Sequence, residues 1–331
     1  GSDGCSSDVG AGSLSHWIVK PGRAGGGRGV RVLRCDGSPH DVDAALQQGD
    51  AASTSKAPAV VARYVERPLL VERRKVDLRL YVLVTCFGEP SSSTEPVAAG
   101  EPMLASTPEK TRAYIFTEGL VRFASEEYTL SPESFSVPFV HLTNNEVNAR
   151  NSAATVASEK SPVGAKARPK RTCSGNWTLS ELWRWLRENP PGADESVAQD
   201  ARSEGHDRVA FTWRRVRTLA FDVVDSARPV VSAAVRELRA SRGPDGCGQC
   251  FELFGMDVLL DEALRPWLCE VNSLPSLGVG GALDLAVDKA MLRALFELLL
   301  WVPQGETTDL VGEGDAIGGG AAPDVSAARF E

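Results

Sequence analysis

The chain has 331 residues, 42% of them hydrophobic, and a formal net charge of −8 at pH 7, so it is long enough to bury a sizeable core as one large domain or two subdomains. The net acidity does not indicate a nucleic-acid or membrane partner, and the sequence has neither a run of about 18 apolar residues nor a secretory signal pattern. Seven cysteines, an odd number at irregular spacing, indicate reduced thiols in a cytosolic setting.

A glycine-rich loop follows the first predicted strand. Residues 1–14 are rich in Gly and Ser and are predicted to be disordered, and predicted strands at residues 17–20 and 30–33 flank the loop at residues 21–29. The backbone N–H groups of such a loop can surround phosphates, and Lys20 adds a positive charge. Most glycine-rich turns bind nothing, and this loop lacks a Walker A motif, so it is weak evidence on its own.

A charged row begins the strand predicted at residues 75–85. Period-two alternation places Lys75, Asp77 and Arg79 on one face and apolar residues on the other. Beside a triphosphate, the two cations would neutralise phosphate charge while the carboxylate orients the lysine or accepts from ribose. The fraying end of an ordinary strand would show the same pattern.

Two further β-segments are predicted before the helices. Residues 60–66 are predicted to form a buried strand, and residues 113–123 a hairpin that turns near Glu118 and Gly119. Polar stretches predict insertions near residues 88–110, 150–175 and 190–207, and the Gly/Ala-rich residues 304–331 predict a disordered tail.

Local signals define three helices. Thr178 and Glu181 form a capping box that begins an amphipathic helix at residues 179–188. A long helix is predicted from about residue 207 to about residue 240, and a final amphipathic helix at residues 283–300.

The most informative stretch, residues 251–277, is predicted to form a β-hairpin. If Leu260 pairs with Trp267, constant antiparallel pairing places Asp257 opposite Glu270. Like charges directly opposite one another are normally destabilising, and a cation between them would remove the penalty.

Asn272 points to the same face as Glu270, because two residues separate equivalent positions on a strand. Asp257, Glu270 and the carboxamide oxygen of Asn272 are hard-oxygen ligands of the kind that Mg²⁺ prefers, with water and substrate phosphates completing the shell. A solvated hairpin edge with carboxylates opposite one another by chance remains the alternative.

The run Glu252-Leu-Phe-Gly-Met-Asp257, with Pro266-Trp-Leu-Cys-Glu-Val-Asn-Ser-Leu-Pro-Ser-Leu277 after it, resembles the signature of the tubulin tyrosine ligase-like family, ATP-grasp amino acid ligases that modify tubulin. Similar blocks occur in family order at residues 17–30, 60–85, 113–123 and 141–148. The resemblance implies an α+β ATP-grasp fold with mostly antiparallel sheets flanked by helices. It also implies a central subdomain at residues 15–70, a C-terminal subdomain with the metal site at residues 71–303, and a missing N-terminal subdomain.

The resemblance also implies roles for individual residues. Arg79 belongs at the reaction centre, and Arg122 would bind the carboxylate of the incoming amino acid bidentately. Asp257, Glu270 and Asn272 would hold Mg²⁺. The residues assigned to ATP are Lys20, Arg28, Gly29, Arg63, Tyr64, Val65, Lys75, Asp77, Thr143 and Asn144.

The implied activity is an ATP-dependent ligase that adds an amino acid to glutamate side chains of tubulin C-terminal tails through an acyl phosphate and an isopeptide bond. Glutamate is the first expectation and glycine the second. The implied partners are tubulin or microtubules and a free amino acid, without nucleic acid or membrane. The implied location is the cytoplasm and cytoskeleton, with a cilium or basal body as a further option.

Three residues depart from the pattern of glutamate-adding members. Asn145 and Glu146 replace a common Tyr-Ser pair, and Asn176 replaces a basic residue before Trp177. An inward-pointing acid would repel a glutamate substrate. These departures leave the added amino acid open, and they keep a weak or inactive nucleotide- and microtubule-binding module as the alternative.

Overall fold

The computed structural model describes residues 15–22, 25–35, 59–87, 111–151, 175–189, 207–242, 251–277, 281–300 and 328–331. The predicted leader, residues 1–14, lies outside the described residues, and so do the insertion at residues 88–110 and nearly all of the two later insertions. What the sequence predicts for those segments stays a prediction.

The chain divides into two compact units, each drawing on two stretches of sequence. Unit 1 consists of residues 1–76 and 122–175, and unit 2 of residues 77–121 and 176–331. The predicted subdomains are each continuous and meet between residues 70 and 71, so the compact units follow a different division.

Unit 1 contains a three-stranded antiparallel sheet in the order β2-β1-β3. Its strands are β1 (Ser15–Pro21), β2 (Arg31–Cys35) and β3 (Ala59–Arg63). The first two confirm the strands predicted on either side of the glycine-rich loop. The third is shorter than predicted and mostly exposed. The apolar residues of β3 are exposed because β3 lies at the edge of the small sheet. The first buried residue after the strand is Tyr64.

A tight turn connects the next two strands. β4 (Leu70–Val71) pairs with the start of β5 (Arg74–Phe87). Between them, Glu72 and Arg73 both have positive φ, at 50° and 65°. Two consecutive left-handed residues are the geometry of a two-residue hairpin turn whose twist matches that of its strands.

The sheet of unit 2 has the strand order β7-β6-β5-β8-β9. The remaining strands are β6 (Thr111–Phe123), β7 (Trp177–Thr178), β8 (Glu252–Leu260) and β9 (Pro266–Asn272). The pairs β5–β8, β8–β9 and β6–β7 are antiparallel. The fold is therefore α+β with antiparallel sheets, as predicted.

The hairpin predicted at residues 113–123 is wrong, because β6 is one continuous strand. Gly119 lies within it, where an added Cβ would come 2.6 Å from the carbonyl oxygen of Arg79 on β5. The glycine therefore permits a close approach of the two backbones and does not mark a turn.

The helices of unit 2 agree with their sequence signals. The helix α3 (Leu179–Glu188), which follows the short helices α1 (Pro138–His141) and α2 (Asn145–Asn148) of unit 1, begins with the predicted capping box. Two longer helices follow, α4 (Arg208–Arg242) and α5 (Ala282–Leu300). None of the helices in the described part of the chain is long and apolar enough to cross a membrane.

The helix α5 packs on the sheet through an apolar stripe. Its residues recur at helical spacing and meet side chains of β5 and β6 in one buried cluster. The cluster contains Tyr81, Leu83, Phe116, Leu120, Val287, Met291, Ala294 and Leu295. Each fully buried apolar side chain contributes roughly 1.5–3 kcal/mol, so this cluster fixes α5 beside the strand that carries Arg79.

The last four residues differ from the predicted disordered tail. Residues 328–331 pair with β6 through an antiparallel bridge between Phe116 and Phe330. Ala328 and Phe330 also pack against the buried cluster. No local pattern predicts this contact, because its partner strand is about two hundred residues away in the chain, with 212 residues separating Arg329 from Thr117.

Candidate functional site

Three neighbouring strands of unit 2 place two carboxylates and an arginine in one row. Arg79 on β5 is the Cα partner of Asp257 on β8, and Asp257 is the partner of Glu270 on β9. The predicted pairing of the two carboxylates is therefore confirmed. The row also contains the cation of Arg79. The sequence predicts that Arg79 shares a face with Lys75 and Asp77, but it does not predict that Arg79 lies beside Asp257.

A bulge produces the carboxylate pairing. Leu260 pairs with Pro266 and not with Trp267, so the predicted register is wrong by one residue at the turn. Continued without interruption, the observed pairing of Leu260 with Pro266 would place Cys269 opposite Asp257. A register shift between Asp257 and Val258 makes Cys269 the extra residue and brings Glu270 opposite Asp257.

The side chain of Asp261 organises the turn between the two strands. Its Oδ1 accepts hydrogen bonds from the backbone N–H groups of Ala263 and Arg265, both at 2.9 Å. Its Oδ2 accepts from the indole of Trp267 at 3.1 Å. Leu264 adopts a φ of 57°, which is costly for a leucine. The hydrogen bonds to Asp261 compensate for that strain.

Arg79 forms a bidentate ion pair with Asp257. Its Nε donates to Oδ1 at 2.6 Å and its Nη2 to Oδ2 at 3.2 Å. The two side chains are 13% and 3% exposed. The guanidinium thus neutralises the buried carboxylate of Asp257, and removing one partner from such a buried pair costs about 3–5 kcal/mol.

The lack of a side chain at Gly255 leaves space for the side chain of Arg79. It lies on β8 between Tyr81 of β5 and Asn272 of β9. An added Cβ would come 2.8 Å from Cβ of Pro275 and 3.5 Å from Cδ of Arg79. Gly255 is absent from the predicted site residues, although its place two residues before Asp257 is a signal for a close backbone approach.

Asn272 lies on the same side as Glu270, as predicted, and its Nδ2 donates to Glu270 Oε1 at 3.3 Å. Glu270 is exposed and Asn272 half-buried. Among the described residues no group of three or more His, Cys, Asp or Glu converges on one point. Two carboxylates and a carboxamide are oxygen ligands of the kind that suits Mg²⁺ completed by water and phosphate oxygens, and both oxygens of Asp257 also accept hydrogen bonds from Arg79.

Two buried acids of α5 lie near the same row. Tyr81, two residues from Arg79, donates its hydroxyl to Asp288 Oδ1 at 2.7 Å. Burial raises the pKa of the Asp288 carboxyl, and it also raises the pKa of the Tyr81 hydroxyl. Asn176 donates its Nδ2 to Asp284 Oδ1 at 2.9 Å. Asn176, which stands where glutamate-adding members commonly have a basic residue, therefore contacts α5.

Unit 1 brings together a tyrosine, a lysine and a histidine. Lys75 Nζ donates to Tyr64 Oη at 3.1 Å, and its ammonium lies 4.4 Å from the centre of the tyrosine ring. The Tyr64 hydroxyl also bonds to His141 Nδ1 at 3.0 Å. Burial, assisted by the charge of Lys75, lowers the pKa of His141 to about 4. His141 is missing from the predicted site residues, although it begins the block that contains Thr143 and Asn144.

The glycine-rich loop has the backbone conformation that its composition predicts. Gly26, Gly27 and Gly29 have φ values of 64°, 72° and 72°, in the left-handed region that favours glycine. Arg28 turns back on the loop, because its Nε donates to the carbonyl oxygen of Gly25 at 3.2 Å.

The helix α2 lies against this loop. A Cβ added to Gly27 would come 2.9 Å from Asn144 Oδ1, and one added to Gly26 would collide with the carboxylate of Glu146. Asn144 is therefore next to the loop with which the resemblance groups it. The acidic side chain of Glu146, whose direction the sequence leaves open, points at the glycines.

The other predicted site residues lie on strands or directly beside strands and helices, and their roles stay predictions. Lys20 is half-buried on β1, Arg63 is exposed at the end of β3, and Val65 is half-buried just after it; Thr143 is buried between α1 and α2, Arg122 is buried on β6 and Asp77 is buried on β5. Asp77, Arg79 and the three candidate metal ligands belong to unit 2, and the remainder to unit 1.

Comparisons with known proteins identify the relatives of this chain. Residues 6–90 and 103–309 match the tubulin-tyrosine ligase family. The tubulin monoglutamylase TTLL4 of Mus musculus is 30% identical over 288 residues, and the tubulin polyglutamylase TTLL5 of Homo sapiens is 29% identical over 289 residues. These matches cover 86% and 87% of this chain and 18% of each relative.

The tubulin polyglutamylase ttll-4 of Caenorhabditis elegans is 31% identical over 289 residues, which cover 87% of this chain and 37% of the relative. The chain thus spans well under half the length of these curated relatives.

Proposed function

Because the chain belongs to the tubulin-tyrosine ligase family, we propose that it is an ATP-dependent ligase that adds glutamate to glutamate side chains of tubulin C-terminal tails. The relatives named above are a tubulin monoglutamylase and tubulin polyglutamylases, which supports glutamate as the added amino acid. The chain corresponds to only part of each relative, so the activity, the substrate and the cytoskeletal location are all proposed.

The row of Arg79, Asp257 and Glu270 carries the proposal. Activation of a carboxylate by ATP gives an acyl phosphate, and the amine of the incoming amino acid then displaces phosphate to form the isopeptide bond. This chemistry requires oxygen ligands for the metal of Mg·ATP and a fixed cation close to the transferred phosphoryl group. The row contains both kinds of group on three hydrogen-bonded strands.

Asp257, Glu270 and Asn272 would hold Mg²⁺, which when bound neutralises phosphate charge and orients the nucleotide. Arg79 would stabilise the negative charge that develops during transfer. Its bidentate pairing with Asp257 holds the guanidinium in one orientation before any substrate arrives, so the cation need not be ordered during the reaction.

The residues of unit 1 would bind and orient the substrates. Lys75 would contact the phosphates of ATP. Tyr64 limits its rotation by accepting a hydrogen bond from it, and His141 in turn holds the tyrosine hydroxyl. Because its lowered pKa leaves His141 neutral at pH 7, the ammonium of Lys75 is the only charge of this trio. Arg122 would bind the α-carboxylate of the incoming amino acid.

Incorporation of labelled amino acids into tubulin tests the proposal. The chain is incubated with microtubules and Mg·ATP, with either labelled glutamate or labelled glycine. We expect incorporation of glutamate, and its loss in Asp257→Asn and in Glu270→Gln. Glu252→Gln is the matched control, because this carboxylate lies at the far end of the same hairpin, opposite Val84. If neither label enters tubulin, the ligase proposal fails.

One observation favours a second function, a nucleotide- and microtubule-binding module without ligase activity. The Glu146 carboxylate lies against Gly26 in the loop predicted to contact phosphates, where its negative charge would repel the transferred phosphoryl group and weaken the chemical step. Co-sedimentation with microtubules and binding of ATP without turnover would identify this module. Incorporation of glycine instead of glutamate would identify a glycine-adding ligase.

A further inference from the structure

Residues 328–331, here named the strap, add a short strand to β6. The N–H of Ile115 donates to the carbonyl oxygen of Glu331 at 2.8 Å, and the N–H of Glu331 donates to Ile115 at 2.9 Å. The N–H of Thr117 donates to the carbonyl oxygen of Arg329 at 2.8 Å. Within the described residues β7 pairs with β6 only further along, so the strap occupies an edge that β7 does not cover.

Two side chains of the strap have opposite chemistry. The ring of Phe330 lies 5.4 Å from that of Phe116 and packs against the apolar cluster beneath α5. The carboxylate of Glu331 accepts a hydrogen bond from the indole of Trp213 at 2.8 Å and lies 3.5 Å from Nη1 of Arg217. Trp213 and Arg217 are four residues apart on α4 and therefore share one face of the helix.

A cavity of about 460 Å³ adjoins this carboxylate within unit 2. Its lining includes Arg214, Arg217, Tyr114, Phe221 and one acid, Asp222, besides Glu331. The strap therefore leaves space beside the arginines, enough for further side chains of an extended peptide.

We propose that the edge of β6 at residues 115–117, together with Trp213 and Arg217, is a binding site for a peptide in which an aromatic residue precedes a glutamate. The strap is the built-in occupant that such a peptide displaces. Strand addition supplies affinity through main-chain hydrogen bonds, and alternating side-chain sites supply selectivity. The apolar cluster selects the aromatic residue, and the indole and guanidinium select the acid.

A peptide-binding measurement tests this site without ATP, so its outcome does not depend on the ligase proposal. The probe is a fluorescent, C-terminally amidated peptide with the sequence of residues 326–331, Ser-Ala-Ala-Arg-Phe-Glu. Its anisotropy is measured with the full chain and with Phe330→Asp, which disengages the strap.

We expect the Phe330→Asp chain to bind the probe at least tenfold more tightly than the wild type, because a tethered strap competes at an effective concentration of about 1 mM. A probe with glutamine in place of its glutamate should bind about tenfold more weakly. Equal binding by the two chains, equal binding of the two probes, or no binding would overturn the proposal.

Hydrogen exchange gives a second test if Phe330→Asp does not fold. In Arg217→Gln of the full chain, the amides of Ile115 and Thr117 should exchange at least fivefold faster than in the wild type. Arg215→Gln is the matched control, since its guanidinium lies 5.7 Å from the ring centre of Phe211. Unchanged exchange in Arg217→Gln, or equal acceleration in both variants, would show that the acid site does not hold the strap.

Discussion

Arg79 shows how one residue can serve both stability and proposed chemistry. Its guanidinium neutralises the buried Asp257, which would otherwise face the carboxylate of Glu270 without a counter-charge. The same ion pair keeps the guanidinium beside the candidate metal ligands. A stability measurement on Arg79 variants alone therefore cannot identify a catalytic role, whereas variants of Glu270, which is exposed, separate the two effects.

Glu146 offers a prediction about nucleotide affinity. Its carboxylate lies against Gly26 in the loop proposed to contact phosphates. Glu146→Gln removes a negative charge at nearly constant volume, so ATP should bind about fivefold more tightly at low salt and with a smaller gain at high salt. Titration calorimetry measures this, with the exposed Glu133→Gln as control. Unchanged affinity would mean that phosphates bind away from this glutamate.

His141 should make the folded state sensitive to acid. Its pKa is lowered to about 4 in the fold, against an ordinary value of about 6.5. Between these two pH values His141 is protonated in the unfolded chain but not in the folded chain. Its contribution to the free energy of unfolding is therefore complete above pH 6.5 and decreases as the pH falls toward 4. We expect a loss of roughly 1–2 kcal/mol between pH 7 and pH 5 from this residue.

Urea unfolding at these two pH values measures that loss. His141→Gln should be less stable than the wild type at pH 7 but should show a smaller decrease on acidification. The neighbouring Tyr128 does not contribute in this range, because burial raises the pKa of its hydroxyl. Equal decreases in the two proteins would contradict a neutral, buried His141.

At the scale of the element, the β8–β9 hairpin depends on close packing at one glycine. Gly255→Ala would place a Cβ 2.8 Å from Cβ of Pro275 and against the side chain of Arg79. We expect the free energy of unfolding to fall by about 1–3 kcal/mol, together with a loss of glutamate incorporation. Gly175→Ala is the control, since no atom lies within 4 Å of its added Cβ. Equal stability of the two variants would refute this packing argument.

The elements that the sequence predicts well are those with local signals. The capping box of Thr178 and Glu181 defines the start of α3, and apolar periodicity defines α5. Gly119 misleads, because a glycine that permits a close backbone approach looks the same in sequence as one that forms a turn. The bulge at Cys269 is also hidden, since a register depends on which strands pair and not on the composition of either.

The candidate site likewise combines features that have a local signal in the sequence with contacts between distant residues that have none. The predicted pairing of Asp257 with Glu270 is right only because the bulge at Cys269 offsets the one-residue error at the turn, and Asn272 lies on the side of Glu270. The pairing of Arg79 with Asp257 joins residues 178 apart in sequence, and the contact of Glu146 with Gly26 requires the fold of unit 1. Neither contact has a local signal, so both emerge only from the structure.

In the whole molecule, two proposed binding functions lie on different surfaces of unit 2. The row on β5, β8 and β9 is proposed to bind Mg·ATP, and the edge of β6 with α4 is proposed to bind a peptide in which an aromatic residue precedes a glutamate. Both use residues of unit 2, yet they share no side chain. Substitution of Glu270 should therefore leave the strap site unchanged, and substitution of Arg217 should leave nucleotide binding unchanged.

The dependence of ATP binding on Mg²⁺ tests directly whether the β8–β9 hairpin holds the metal of Mg·ATP. In the wild type, we expect the affinity for ATP to rise at least tenfold when Mg²⁺ is added, because the carboxylates of Asp257 and Glu270 and the carboxamide oxygen of Asn272 complete the shell of the metal. Glu270→Gln should lose most of that rise, and Glu252→Gln should retain it. A Glu270→Gln chain that binds ATP with the full dependence on Mg²⁺ would contradict the metal site proposed on this hairpin.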